Sequence, residues 1–201
     1  LELALNDGID PLTGKRIGPQ TGNCTLFDSF EKLYDAFHNQ LEYIVDLKIR
    51  VNNYIERMYA SYAPAPFLSI FIRDCIANGQ DYYNGGPRYN TNYIQCCGIG
   101  TVTDSLSAVK KHVFQDKNVT MQELLAALES NFKGQEPLRL RLANKTPFYG
   151  NDDDYADRIM QRVYGSLFEA IDGKSNTKKG TYHLNMLSTT CHIYFGKKLG
   201  A

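Results

Sequence analysis

The stretch FEKLYDAFHNQLEYIVDLKIRVNNYIERMYASY, residues 30–62, decides the fold class of this chain. Its apolar side chains recur at steps of three and four residues, the spacing that brings side chains to one face of an α-helix. We call this set the long stripe; its members are Phe30, Tyr34, Phe37, Leu41, Ile44, Val51, Ile55, Met58 and Tyr62. At ~1.5 Å per residue the pattern predicts one helix roughly 50 Å long. Asp28 and Glu31 are predicted to form a capping box at its start.

The helix is predicted to pack on a barrel or a bundle. A coiled coil also fits the step sizes, but Leu33, Val45 and Leu47 widen the stripe beyond a two-residue seam.

Shorter patterns divide the rest of the chain. The turn-forming residues over 9–27 predict loops with a short hairpin. Periodicity and capping signals predict helices over 67–78, 102–114, 120–132, 138–143 and 154–171, and strands over 93–97 and 189–195. Strands separated by long helical stretches favour a parallel α/β arrangement. The predicted fold class is mainly α with a few short strands.

Composition limits the classes of partner. The 201 residues include 22 Lys plus Arg and 22 Asp plus Glu, so the formal net charge is zero. A nucleic-acid surface would need an excess of cationic charge. A membrane span would need ~20 consecutive apolar residues, and no run in the sequence approaches that length. We therefore expect no nucleic acid and no membrane among the partners.

The five cysteines are odd in number, and their spacing does not match a disulfide framework. The sequence also shows no secretory signal, so free thiols and a cytoplasmic location are expected. No Cys or His spacing predicts a metal site. The first residues, 1–6, have the pattern of the last turns of a helix, and the chain ends just after an apolar strand-like run. Both ends are therefore expected to be internal to a longer protein.

Three short motifs each have a functional and a structural interpretation. Asp152–Asp154 suggests calcium, but the Gly and Glu of a calcium loop are missing and helix capping explains the acidic run. Gly98-Ile99-Gly100 resembles a phosphate-binding turn but lacks its third Gly, which favours a tight strand-to-helix turn. The adjacent Cys96 and Cys97 suit either radical and redox chemistry or the packing of small apolar side chains.

Three stretches of the sequence resemble signatures of glycyl radical enzymes of the pyruvate formate-lyase-like family. The first, residues 78–114, contains Gly85-Gly86-Pro87-Arg88-Tyr89-Asn90 and Asp104-Ser105-Leu106. The second is PFYGNDDDYAD, residues 147–157, and the third is LSTTCHIYFGK, residues 187–197. They occur in the family's order. Residues 3–8 and 10–14 also fit the family, so the resemblance spans essentially the whole chain. Within the family, residues 90–95 and 189–192 most resemble trans-4-hydroxy-L-proline dehydratases.

The resemblance implies that residues 1–201 form a single segment of the family's α/β barrel. The loop with the thiyl-forming Cys, usually Gly-Cys-Val-Glu, and the loop with the radical Gly, usually Arg-Val-x-Gly-Tyr, do not occur in this sequence. No catalytic residue is therefore expected in this chain. The parent enzyme is implied to carry a glycyl radical installed by a radical S-adenosylmethionine activase, to bind no other cofactor, and to form a homodimer.

The resemblance also implies a substrate cavity lined by residues 89–95 and 189–192. Thr189 matches a position whose hydroxyl contacts substrate, and it is the predicted substrate-binding residue. Alternatively, its hydroxyl bonds only to the strand backbone. The family usually has Gly at the position of Cys96, so a side chain there is expected to narrow the cavity or to shift the strand.

Several activities remain open at this point. The expected one is anaerobic dehydration or lysis of a small hydroxylated or amine substrate such as trans-4-hydroxyproline. The alternatives within the family are pyruvate formate-lyase (formate C-acetyltransferase), choline trimethylamine-lyase and glycerol or propanediol dehydratase. The alternative outside enzymes is a stand-alone helical module that binds a partner through the long stripe, and an exposed stripe predicts self-association of the isolated chain.

Overall fold

The computed structural model describes residues 1–186, which are mainly helical as predicted. The strands are β1 (Asn92–Gln95) and β2 (Tyr182–Asn185). The helices are α1 (Glu2–Leu5), α2 (Phe30–Tyr62), α3 (Pro66–Ser69), α4 (Arg73–Asn78), α5 (Ile99–Val109), α6 (Met121–Glu129), α7 (Glu136–Lys145) and α8 (Asp154–Ile171). The described residues form two compact units. The first unit contains 1–43 and 97–166, and the second contains 44–96 and 167–186.

Helix α2 covers the long stripe from its first residue to its last, which confirms the predicted helix. The predicted capping box at its start is wrong by one residue. The backbone N–H of Lys32 donates to Ser29 Oγ at 3.4 Å, so Ser29 caps the helix. Asp28 lies outside the first turn and pairs with the Lys32 ammonium at 2.7 Å. Because Ser is as good a cap as Asp, sequence preference alone does not separate these two neighbours.

The core of the first unit is apolar. Buried side chains from α2, α5 and α6 pack together around Leu33, which is fully buried. The predicted capping box at Thr120 is confirmed: the Glu123 N–H donates to Thr120 Oγ1 at 3.2 Å, and the Thr120 N–H donates to Glu123 Oε2 at 2.7 Å. These two bonds satisfy N–H groups that a helix start otherwise leaves unpaired.

After Val109, helix α5 continues as a π-helix, Lys110–Gln115. His112 in this turn is 1% exposed, and its ring nitrogens lie 3.2 Å from Asn118 Oδ1 and from Thr146 Oγ1. The predicted helix over 102–114 is thus confirmed. Its pitch changes from α to π at the turn in which the buried His112 contacts Asn118 and Thr146.

The helix predicted over 67–78 is two short helices, α3 and α4, separated by residues 70–72. Asp81 explains the break, since its carboxylate accepts from the Ala65 N–H at 2.9 Å and from the Ser69 hydroxyl at 2.8 Å. Ile72 has an extended backbone, φ −108° and ψ 110°, which ends the first helical turn before the second begins. A carboxylate more than ten residues away therefore overrides the local helical pattern.

Strands β1 and β2 form a parallel pair in the second unit, which confirms the predicted parallel arrangement. The register pairs Asn92 with Tyr182 and Gln95 with Asn185. β2 was not predicted, and the strand predicted over 189–195 lies outside the described residues. An isolated antiparallel bridge joins Ile9 to Arg16, where a short hairpin was predicted.

Candidate functional site

The candidate site is the carboxyl end of the β1–β2 pair. The carboxyl ends of parallel strands lie at the same edge of a sheet. At this edge the N–H of Cys96, the residue after β1, donates to the carbonyl of Asn185, the last residue of β2, at 2.9 Å. The strand predicted to include Cys96 and Cys97 stops at Gln95, and both cysteines are half-buried. The end of β2 is therefore bonded to Cys96, the residue that follows β1.

The two faces of this strand pair differ in character. Successive strand residues point to opposite faces, and residues paired in a parallel register share a face. One face has Ile94 and Tyr182, which are 9% and 0% exposed, and the Tyr182 hydroxyl donates to Asn53 Oδ1 of α2 at 2.8 Å. The other face has Tyr93 and His183, and Tyr93 is 64% exposed. The first face is packed on α2 and the second is open.

Glu56 of α2 holds the start of both strands. Its carboxylate accepts from the Thr177 N–H at 3.2 Å, from the Thr177 hydroxyl at 2.6 Å and from the Asn92 amide, and it pairs with the Lys178 ammonium at 3.4 Å. Burial raises the pKa of Glu56, but the hydrogen bonds from Thr177 and Asn92 and the nearby Lys178 charge outweigh it. The net result is a pKa below the ordinary value of 4.5. The carboxylate is therefore ionised at neutral pH and fixes the strands on the helix.

A second polar group lies on the open face. His183 Nδ1 lies 2.6 Å from Asp172 Oδ1, and its Nε2 lies 3.1 Å from Thr181 Oγ1. An ionised carboxylate only accepts, so Nδ1 carries the proton, and in the neutral ring Nε2 accepts from the Thr181 hydroxyl. Both ring nitrogens of His183 are therefore held by neighbouring side chains. In the described part of the chain its evident role is to join the end of α8 to β2.

The structure brings together only part of the predicted site. Thr189, the predicted substrate-binding residue, lies outside the described residues, as do Cys191 and His192. Of the residues predicted to line the cavity, Tyr89 and Tyr93 are 83% and 64% exposed. Side chains that were not singled out from the sequence form the connected polar groups of the second unit: Glu56, Asp172, Thr177 and His183.

The sequence carried a signal for strand β2, which contains His183. Gly180 is followed by Thr181-Tyr182-His183-Leu184, a run of β-branched, aromatic and apolar residues after a turn, which is typical of a strand. Glu56 carried no such signal, because its neighbours in the sequence are those of an ordinary solvated helix face.

The described residues contain no group of three or more His, Cys, Asp or Glu side chains placed to hold a metal ion. Over the same residues, no helix is both long enough and apolar enough to cross a membrane.

Comparison with known proteins identifies the class to which this fold and strand pair belong. Residues 1–196 match the pyruvate formate lyase-like family, and the chain belongs to that family. The prediction from the three sequence signatures is thereby confirmed, and the fold is a segment of the α/β barrel of glycyl radical enzymes.

Among individual relatives, the chain is 50% identical over its full 201 residues to trans-4-hydroxy-L-proline dehydratase of Clostridioides difficile, and it covers 26% of that protein. The crystal structure of hydroxyproline dehydratase from the same organism, with trans-4-hydroxy-L-proline bound, matches with a TM-score of 0.93 over 97% of this chain and 25% of that one.

The glycerol-bound B12-independent glycerol dehydratase of Clostridium butyricum matches with a TM-score of 0.91 at 32% identity, over 98% of this chain and 25% of that one. The chain thus spans about a quarter of the length of the relatives that it matches.

Proposed function

We propose that this chain is the barrel segment of a glycyl radical dehydratase that removes water from trans-4-hydroxy-L-proline. The observation that carries the proposal is the 50% identity to trans-4-hydroxy-L-proline dehydratase over every residue of the chain. The glycerol dehydratase reported above is 32% identical to it. In this proposal residues 1–201 lie between the loop of the thiyl-forming Cys and the loop of the radical Gly.

The parent enzyme, in this proposal, carries a glycyl radical installed by a radical S-adenosylmethionine activase and works as a cytoplasmic homodimer. The radical supplies hydrogen abstraction from the substrate. The residues of this chain bind and orient the substrate and exclude water and oxygen from the reacting atoms.

Thr189 is proposed to contact the substrate through its hydroxyl. In the sequence it comes four positions after the last residue of β2, whose register with β1 pairs Asn92 with Tyr182. A hydroxyl both donates and accepts, so it can bind a carboxylate or a hydroxyl of the substrate. Cys96, at the end of the neighbouring strand, is proposed to narrow the same cavity.

The test is a chimera in which this chain replaces the matching quarter of the Clostridioides difficile dehydratase. The chimera is activated anaerobically, the glycyl radical is measured by electron paramagnetic resonance, and the loss of trans-4-hydroxy-L-proline is followed. We expect a radical signal and dehydration of hydroxyproline but not of glycerol. The isolated 201-residue chain should show neither radical nor activity.

Two results would contradict the proposal. One is a chimera that forms the radical but does not convert hydroxyproline, and the other is a radical signal from the isolated chain. Within an active chimera, Thr189→Ala should lower kcat/KM by about tenfold or more if one substrate hydrogen bond is lost, while Thr189→Ser should retain most of it.

Glycerol dehydration is the second candidate, because the glycerol dehydratase match covers 98% of the chain at a TM-score of 0.91. A chimera that prefers glycerol to hydroxyproline would favour it. The same assay therefore separates the two candidates.

A further inference from the structure

An open pocket of about 420 Å³ lies in the second unit, at the amino ends of β1 and β2. Its walls include Gln80, Gly85, Arg88 and Asn90, which precede β1, and Lys179, which precedes β2. These residues come before the two strands in the sequence, whereas the proposed substrate contact, Thr189, comes after β2. Apart from Asn90, none of its wall residues is among those predicted to line the substrate cavity, and the inference does not rest on the proposed function.

Two loops build this pocket and are held together by backbone contacts. A side chain at Gly180 would place its Cβ 2.0 Å from the Asn90 carbonyl oxygen, and one at Gly85 would lie 3.1 Å from the Lys178 carbonyl oxygen. The Asn176 amide donates to the Asn90 carbonyl, and its oxygen accepts from the Lys178 and Gly180 N–H groups at 2.9 and 2.8 Å. The walls are thus fixed before any ligand arrives.

Lys179 stands at the tip of the second loop in a left-handed conformation, with φ at +65°. A residue with a Cβ adopts this conformation only at an energetic cost. Strained backbone conformations of this kind cluster at ligand-binding and other functional sites. Within the described residues Lys179 has no ion pair, whereas its neighbour Lys178 pairs with Glu56. The loop therefore places Lys179 in the pocket wall, while the ammonium of Lys178 anchors the loop to Glu56.

The charge of the pocket is positive. Its walls hold Arg88 and Lys179 and no carboxylate. Behind the wall, Asp74 accepts from the Arg88 guanidinium at 3.3 Å and from its backbone N–H at 3.2 Å, which orients the side chain and offsets one of the two positive charges. A guanidinium has five N–H donors, so donors remain for a ligand. The net charge of these three groups is one positive, which matches a singly charged anion.

We propose that this pocket binds a small carboxylate. The carboxylate group lies between Arg88 and Lys179, because a planar anion with two oxygens suits the fork of a guanidinium. The Gln80 amide, which has no side-chain hydrogen bond within residues 1–186, faces the remainder of the ligand and suits a hydroxyl or carbonyl there. The volume exceeds that of a bare anion and fits a small organic acid.

The experiment is a titration of the 201-residue chain with L-lactate at constant ionic strength, followed by amide chemical shifts. We expect saturable shifts that cluster at residues 80, 88, 90 and 179. Lys179→Gly should weaken binding by about tenfold or more, the effect of losing one charge-assisted hydrogen bond. Lys179→Arg, which keeps the charge, should bind within about threefold of the original chain.

The choice of glycine separates binding from folding. Glycine adopts φ +65° without strain, so Lys179→Gly should leave the thermal midpoint unchanged or raised while lactate binding falls. Lys174→Gln and Arg57→Gln are the matched controls, since both remove an exposed cation of the same unit that does not line the pocket. Neither should change the lactate affinity.

Three results would overturn the proposal: no saturable shift, equal lactate affinity in Lys179→Gly, or saturable binding of inorganic phosphate in the absence of lactate binding. The last result would assign the pocket to a different class of anion.

Discussion

The two parts of helix α2 carry the same apolar pattern but differ in what covers it. In the first unit Phe30, Tyr34 and Phe37 are at most 7% exposed. In the second unit the next members of the long stripe, from Ile44 to Met58, are 38% to 45% exposed, and Tyr62 is 84% exposed. The pattern is continuous along the helix, so the difference comes from the neighbours and not from the helix itself.

The interactions that hold each part differ accordingly. In the first unit Leu33 packs against apolar side chains of α5 and α6. In the second unit α2 is joined to the strands largely through polar contacts, with Glu56 bonded to Thr177 and Asn92, and Asn53 bonded to Tyr182. Apolar packing is tolerant of small shifts, whereas a partly buried carboxylate bonded to three other residues requires one geometry.

An apolar helix face left open over several turns is typical of a surface that another part of an assembly covers. The chain spans about a quarter of the length of its relatives, and we expect the rest of the barrel to cover this face. The comparison between the two parts of α2 yields predictions that differ in size.

The largest effect is expected in the first unit. Leu33→Ala should lower the free energy of unfolding by about 2–5 kcal/mol, because it leaves a cavity at a fully buried position. Leu47→Ala, at a position that is 39% exposed, should cost less than about 1 kcal/mol. Urea unfolding followed by circular dichroism measures both, and equal losses would mean that the two parts of α2 are covered alike.

The Glu56 network should give the next effect. Glu56→Ala removes the acceptor for Thr177 and Asn92, and we expect a loss of about 1–3 kcal/mol from the groups left without a partner. The matched control is Glu42→Ala, since Glu42 is 56% exposed and pairs only across one helical turn with His38 at 3.4 Å. It should change stability by less than about 0.5 kcal/mol. A neutral Glu56→Ala would refute a structural role for the network.

Acid should weaken the second unit through the same carboxylate. The folded pKa of Glu56 lies below its ordinary value of 4.5, so its contribution is complete above pH 4.5 and is lost as the pH falls through the folded pKa. Glu56→Gln should therefore show a shallower loss of stability below pH 4.5 than the original chain. Urea midpoints at pH 5 and pH 3 for both proteins give the comparison, and parallel curves would contradict it.

The smallest effect on stability is expected on the open part of the long stripe. Ile55→Lys with Met58→Glu should change the unfolding free energy by no more than about 0.5 kcal/mol, because both side chains are 44% exposed. The pair should reduce self-association of the isolated chain, as measured by sedimentation equilibrium. Gln122→Lys, on an exposed position of α6, is the control. A clean monomer in the original chain would contradict the expected association.

Sequence patterns correctly predicted the helices that are determined by residues close together in the chain. Helix α2 follows from apolar spacing, α6 from the Thr120 capping box, and α8 from the acidic start at Asp154 and the stop at Gly173, which has φ +73°. The same kind of reasoning failed where distant groups decide. Asp81, 12 residues from Ser69, holds the first of the two helices found where one was predicted over 67–78. The error at the start of α2 has another cause, because Ser29 and Asp28 are neighbours with equal preference for the cap position.

The site shows the same division. The order of the three signatures identified the family, since a family pattern resides in the sequence. Glu56 and Lys179 could not be found in this way. Glu56 is 36 and 121 residues away from its partners Asn92 and Thr177. Lys179 lines a pocket only because its loop is hydrogen-bonded to Asn90, which is far from it in the sequence.

By itself, then, the sequence determined most of the helices, the parallel arrangement and the family, because spacing, caps and signature motifs are properties of neighbouring residues. Only the tertiary structure decided which part of the long stripe is buried, which carboxylate anchors the strands and which lysine faces a pocket. Burial and polar partnership depend on contacts between residues far apart in the chain, and no local pattern records them.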